Sequence, residues 1–255
     1  MLRGHKYPLH FIDFEAAQPV IPFHAGMRPY ERVAFQWSCH TIREPGAPSE
    51  HAEWINTDRA LPNVEFARSL REAIGSAGTV YVWSAYESAT LKSIRAQMDA
   101  YSLGTSDADR AEIVEWLDEM DAGRGTRVVD LNRLALDYYF HPLMAGRTSI
   151  KAVLPAVLAA NAAVLDRPEM QKYRSLAPDG SLQSPYASLP ALTLPDGTTM
   201  EAVREGTGAM RAYEEMLFGV YSRDPEYKAA LRDLLLQYCE LDTAAMVMIW
   251  DHWVG

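Results

Sequence analysis

The chain predicts an α/β fold, a mixed sheet with helices packed on it, and three observations carry that prediction. Leu9-His10-Phe11-Ile12-Asp13-Phe14-Glu15-Ala16 has large apolar residues at 9, 11, 12 and 14 and reads as a strand, too short and too β-rich for a helix. Arg32 to His40 and His51 to Ile55 read as two more strands, joined by the turn Pro45-Gly46-Ala47-Pro48, so the three make an antiparallel meander. Beyond them, helical and strand-like segments alternate, which is the order of a layered α/β domain.

Each element has its own local reason. Pro19, Pro22, Gly26 and Pro29 mark the loop after the first strand. Pro62 to Ser76 reads as a helix, with Pro62 in its first turn and Val64, Phe66, Ala67, Leu70 and Ile74 on one apolar face. Thr79 to Trp83 is a buried strand. Glu87 to Tyr101 is a helix with Leu91, Ile94 and Met98 on one side, and Ser106 to Met120 is another, capped by Ser106 with Asp109 three residues on. A turn at Gly123-Arg124-Gly125 leads to a short strand, Arg127 to Asp130, and then to an aromatic helix, Leu131 to Phe140. From Pro168 to Gly206, five prolines with several Gly and Ser break regularity; a segment of this kind inside a compact domain is more often a functional lid or clamp than slack. Helices resume near Thr207. The last runs from Pro225 to about Trp253, with Asp224 as N-cap and Pro225 at the first position.

The 255 residues, 48% apolar and 23% charged, suit a single globular domain over 1–255 with a full core. A central strand so close to Met1 fits a piece cut from a longer protein. The longest apolar run, Ile150 to Leu165, is too short for a membrane span and is interrupted by Lys151, Pro155 and Asn161. The first residues carry no apolar signal region. Cys39 and Cys239 have no metal-binding spacing, which fits a reducing cytoplasm and two small buried hydrophobes. A net charge of −10 argues against coating nucleic acid with a broad basic surface. It leaves room for an enzyme that grips a strand end, because bound cations reverse the sign of an acidic pocket.

Acidic residues supply the candidate chemistry. Asp13 and Glu15 are two apart on a strand, so both leave the same face, where they repel unless a cation sits between them. The plain alternative is a solvated edge strand. Glu87 lies just past a strand end, where α/β sheets place site residues; read alone, it is a first-turn acid favoured by the helix dipole. Tyr238 and Asp242 are four apart on a helix and share a face. Alone, they are a core-boundary tyrosine and a solvated acid. Asp130 is either near the site or the cap of the next helix, and Lys151 either meets a phosphate or is a surface lysine. The histidines form no ligand spacing, and His141 before Pro142 suits a turn. Trp37, Trp83 and Trp250 sit at core positions rather than as stacking platforms for bases.

Taken together, Asp-x-Glu on a first strand, an acid after a later strand and Tyr-x-x-x-Asp on a last helix resemble the DEDD superfamily of 3′–5′ exonucleases. The tyrosine subclass is indicated, because the histidine subclass needs His five residues before Asp242, where Gln237 stands. More closely, Phe11-Ile12-Asp13-Phe14-Glu15-Ala16, Arg28-Pro29-Tyr30, Phe35-Gln36-Trp37-Ser38, Val129-Asp130-Leu131 and Ser149-Ile150-Lys151-Ala152-Val153-Leu154-Pro155 look like an uncharacterised bacterial family of predicted nucleases with this domain. The resemblance implies a ribonuclease H-like fold and metal-dependent hydrolysis at the 3′ ends of single-stranded DNA or RNA. It also implies two Mg²⁺ or Mn²⁺ ions, hard cations that prefer carboxylate oxygens, about 3.5–4 Å apart. Asp13 would bridge both, Glu15 and Asp242 would bind one, and Glu87 would hold the second. Tyr238 would orient the water, since a phenol of pKa near 10 is a poor base at neutral pH. The second motif departs from the superfamily: Glu87 and Ser84 stand where Asp and Asn are usual. Two alternatives stay open, a phosphodiesterase for short oligonucleotides or a nucleotide, if 168–206 roofs a small pocket, and an inactive binding module of the same fold.

Overall fold

A computed structural model of the chain describes residues 2–101, 106–121, 127–193, 197, 199–200, 203 and 206–255. Its centre is β1 (Leu9–Ala17), the middle strand of a five-stranded sheet ordered β3-β2-β1-β4-β5. β1 pairs antiparallel with β2 (Val33–Ile42), and β2 pairs antiparallel with β3 (Ser49–Ile55), which completes the meander. On its other side β1 runs parallel to β4 (Thr79–Val82), and β4 runs parallel to β5 (Val128–Asp130). The sheet is therefore mixed, as its element order predicts.

Side-chain alternation along β1 divides the molecule. Leu9 and Phe11 enter one core, Ile12 and Phe14 the other. The second core is covered by α1 (Asn63–Ile74), α2 (Tyr86–Ala100) and α3 (Asp107–Glu119). The first lies under α4 (Leu131–Tyr138), α5 (Ile150–Ala160), α6 (Gly206–Phe218) and α7 (Pro225–Val254). Asp13 and Glu15 continue the Leu9–Phe11 side, so they point toward α7.

The capping residues act as their sequence suggests. Ser106 accepts the Asp109 N–H, and Asp224 accepts those of Glu226 and Tyr227. Pro62 is the residue just before α1 rather than inside its first turn, and β2 and β3 each run two residues past the expected ends, to Ile42 and back to Ser49. The Gly123-Arg124-Gly125 turn lies outside the described residues. α5 carries no sequence assignment above: its high apolar content hides any amphipathic period, and Pro155 sits inside it. Within 168–206, the chain forms short 3₁₀ turns at Pro168–Tyr173 and Pro185–Ser188, a small hairpin β6–β7 (Ser175–Leu176, Leu182–Gln183) and an antiparallel pair β8–β9 (Leu192–Thr193, Thr199–Met200). No helix among the described residues is long and apolar enough to cross a membrane.

One glycine is required by a close approach. Gly78, with φ +82°, precedes β4, and the Thr79 N–H donates to Pro8 O at 3.0 Å. A Cβ at Gly78 would lie 2.0 Å from that carbonyl oxygen.

Candidate metal centre

The 30 residues of α7 span about 45 Å. Polar links hold its middle to the sheet. Gln36 Nε2 donates to Leu235 O at 2.8 Å, and Thr243 Oγ1 lies 2.8 Å from both Ser38 Oγ and His40 Nδ1. These bonds set the height of Asp242 over β1. Beside it, the β1–β2 register slips between Glu15 and Ala16, a bulge that re-aims a strand at its end.

Asp13, Glu15 and Asp242 each turn one carboxylate oxygen into a group whose atoms all lie within 4.8 Å of one another. Glu87, in the first turn of α2, lies near enough to Asp13 for the two carboxyls to act on one another. It is 3% exposed; Glu15 and Asp242 are each 6% exposed. These acids, with Lys151 and Tyr238, line a cleft of about 520 Å³ whose other walls include Trp83, Tyr86, Met210 and the first residues of α6. The Tyr86 ring packs under the Arg32 guanidinium at 4.9 Å.

Burial raises every carboxyl here, and repulsion by neighbouring acids adds to it at Asp13, Glu15 and Glu87. Asp13 is pushed well above the usual range by burial, then by Asp242, Glu87 and Glu15. Burial and the Asp242 charge raise Glu15 to about 8, with Lys151 opposing. Glu87 also reaches about 8, mainly through burial, its own backbone N–H opposing and Asp130 adding to the rise. Asp242 rises least, to about 6: burial raises it, while Lys151, Tyr186 and Tyr238 hold it down. Cys239 Sγ lies 3.3 Å from Asp13 Oδ2; burial and that charge raise its own pKa, so it is a neutral donor.

This donor set fits a hard divalent cation. Three carboxylate oxygens converge, and Glu87 Oε2 is a buried acceptor with no hydrogen-bond partner among the described residues. Gly206 leaves room beside them, since even a Cβ there would stay 3.8 Å from Glu15 Oε2.

The remaining candidates divide. Lys151 is part of the site: its ammonium donates to Tyr238 Oη at 2.8 Å. Asp130 does not line the cleft; it caps α4 by accepting the Arg133 N–H at 3.2 Å, and its charge acts on Glu87 from behind. Ser84 accepts the Tyr86 N–H at 3.1 Å and so shapes the turn that presents Glu87. His141 accepts the Leu143 N–H as a turn residue, and Trp37, Trp83 and Trp250 are buried. Tyr186 has no sequence signal: it sits in the irregular segment, at no fixed spacing from Asp242, and yet donates its O–H to Asp242 Oδ1.

Residues 10–149 match the family described as Domain of unknown function (DUF2779). The chain belongs to that family. Neither the curated proteins nor the solved structures yield a match. The stretch matched to DUF2779 runs from the second residue of β1 to the residue before α5, and so contains Asp13, Glu15 and Glu87. Lys151, Tyr186, Tyr238 and Asp242 lie beyond it. The centre thus joins the DUF2779 stretch to the helices that follow it.

Proposed function

We propose that this protein is a metal-dependent nuclease of the DEDD tyrosine type on a ribonuclease H-like fold, hydrolysing phosphodiester bonds at the 3′ ends of single-stranded DNA or RNA. The observation that carries the reading is the convergence of Asp13, Glu15 and Asp242 over the central strand, with the partnerless Glu87 Oε2 beside them. A mixed sheet headed by an antiparallel meander supports the fold assignment. Asp13, Glu15, Asp242 and Glu87 would hold two Mg²⁺ or Mn²⁺ ions, whose charge would lower the pKa of a bound water and stabilise the leaving oxygen.

The chain's own groups do the rest. Lys151 has only protons to donate, so Tyr238 Oη accepts from it, and the single phenolic proton of Tyr238 is directed elsewhere, toward Asp242 and the cleft. Burial and the surrounding acids hold the Tyr238 phenol protonated, so it orients a water rather than deprotonating it. The Lys151 ammonium supplies the positive charge at this acidic cleft that a phosphate needs. Glu87, longer than the usual Asp, reaches the site from a helix first turn, whose dipole favours its ionised form.

A second reading, a phosphodiesterase for short oligonucleotides or a nucleotide, rests on the size of the cleft, about 520 Å³, alone, since no described residue of 168–203 lines it. Incubating the protein with Mn²⁺ and single strands labelled at the 3′ or the 5′ end tests both. Early release of labelled mononucleotide from the 3′ end supports the exonuclease. Cleavage restricted to strands of a few nucleotides supports the phosphodiesterase. Absence of Mn²⁺-dependent release by the wild type, equal to Asp13→Asn, overturns both and leaves an inactive binding module.

A further inference from the structure

We propose that Tyr186 is a positioning residue for the metal centre, fixing the Asp242 carboxylate so that one oxygen is held and the other faces Asp13 and Glu15. The inference rests on the metal reading above. It starts from the hydrogen bond of the Tyr186 O–H to Asp242 Oδ1 and from the burial of both residues, each 6% exposed. An aspartate side chain rotates freely about its last bond, and a carboxylate that must present one defined oxygen needs an outer partner. A phenol offers one proton and no positive charge, so it fixes orientation without competing as a cation.

Tyr186 is itself held. It lies in the 3₁₀ turn Pro185–Ser188, and the segment leading to it is bound to α7 by Arg167 on Asp251 at 3.0 Å and by Lys172 on Glu240. Glu169 ties the same segment to β3 by accepting the Ser49 N–H at 2.9 Å. The Lys151 ammonium lies over both tyrosine rings, 5.6 Å from that of Tyr186 and 4.8 Å from that of Tyr238. Asp242 is therefore oriented from α5, α7 and the irregular segment at once. The stretch 167–188 works as a strap across the last helix, and none of its residues lines the cleft.

Calorimetric titration of the full chain with Mn²⁺ tests this, in the wild type, Tyr186→Phe, Asp242→Asn and the double variant. Phenylalanine keeps the ring and removes only the donor. Loss of such an outer partner weakens metal binding by about 10- to 100-fold, so Tyr186→Phe should bind Mn²⁺ that much more weakly. The same substitution in the Asp242→Asn background should change nothing, because no carboxylate is left to orient. Tyr213→Phe, which removes a buried phenol hydrogen-bonded to Asn56 outside the cleft, should leave Mn²⁺ affinity at the wild-type value. Wild-type affinity in Tyr186→Phe, or a tenfold loss in the Asp242→Asn background, overturns the role of Tyr186 alone. No saturable Mn²⁺ binding in the wild type overturns the metal reading and this inference with it. If Tyr186→Phe is unfolded without metal, folding of the double variant supports the proposal, and unfolding of both makes Tyr186 a packing residue and refutes it.

Discussion

Replacing Glu15 by glutamine isolates the electrostatic load that the acid cluster places on the fold. Glu15 has a pKa of about 8 in the folded protein, against an ordinary value of 4.5. The folded state therefore keeps a proton that the unfolded chain has released, and stability falls as pH rises from the ordinary value through the folded one. With those two values, Glu15 costs the metal-free protein about 2 kcal/mol between about pH 6 and pH 8, and roughly 5 kcal/mol across the whole window. In Glu15→Gln the amide mimics the protonated acid and has no such dependence. Urea unfolding in EDTA, followed by tryptophan fluorescence at about pH 6 and pH 8, measures the gap. The variant should gain about 2 kcal/mol on the wild type over that interval. Saturating Mn²⁺ should restore the wild type at the higher pH, by about 2.7 kcal/mol at a hundred times the dissociation constant. Parallel pH curves for the two proteins, or wild-type stability that rises with pH, would refute the reasoning.

Asp13→Asn should abolish Mn²⁺-dependent turnover while the unfolding temperature in EDTA stays equal or rises, because one of several mutually repelling carboxyls is gone; differential scanning calorimetry alongside the nuclease assay checks both halves. Tyr238→Phe should lower single-turnover rates at saturating Mn²⁺ by about 100-fold, with kcat and kcat/KM falling together, and should weaken Mn²⁺ binding by no more than Tyr186→Phe does. An unchanged rate at saturating Mn²⁺ would exclude a tyrosine-type site. Gly78→Ala should destabilise by at least about 1–2 kcal/mol in urea unfolding, since it combines a positive φ with a Cβ 2.0 Å from Pro8 O.

What could be read from the chain follows the range of the forces involved. Asp13 and Glu15 share a face because alternation along a strand is local, and Tyr238 and Asp242 share one because helical spacing is local. That β1 lies under the middle of α7 is not local: it depends on Gln36 reaching Leu235 and on Ser38 and His40 meeting Thr243, contacts between residues about 200 apart in sequence. Capping by Ser106 and Asp224 was legible; Asp130 was open between cap and site, and only the structure shows it accepting the Arg133 N–H away from the cleft lining. α5 was not, because a helix buried on nearly every side shows no polar stripe, and Pro155 counts against it. Tyr186 was hidden for another reason. Its place is set by how an irregular segment is tied to α7 and β3, and no spacing rule connects such a segment to a helix 56 residues later.

The order in which the chain is made gives the centre a history. Cys239, which touches Asp13, follows it by 226 residues, and Asp242 comes three residues later still. At ribosomal speeds of about 5–20 residues per second, β1 waits roughly ten to forty-five seconds for the helix that completes the site. Through that interval, Asp13 and Glu15 have no Tyr238 or Asp242 beside them. A nascent or truncated chain therefore carries the acids of the first strand without the partners that complete the proposed metal centre. Docking of the last helix brings Asp242 to Asp13 and Glu15, so the acid cluster is assembled in one step, after the sheet it stands on is built.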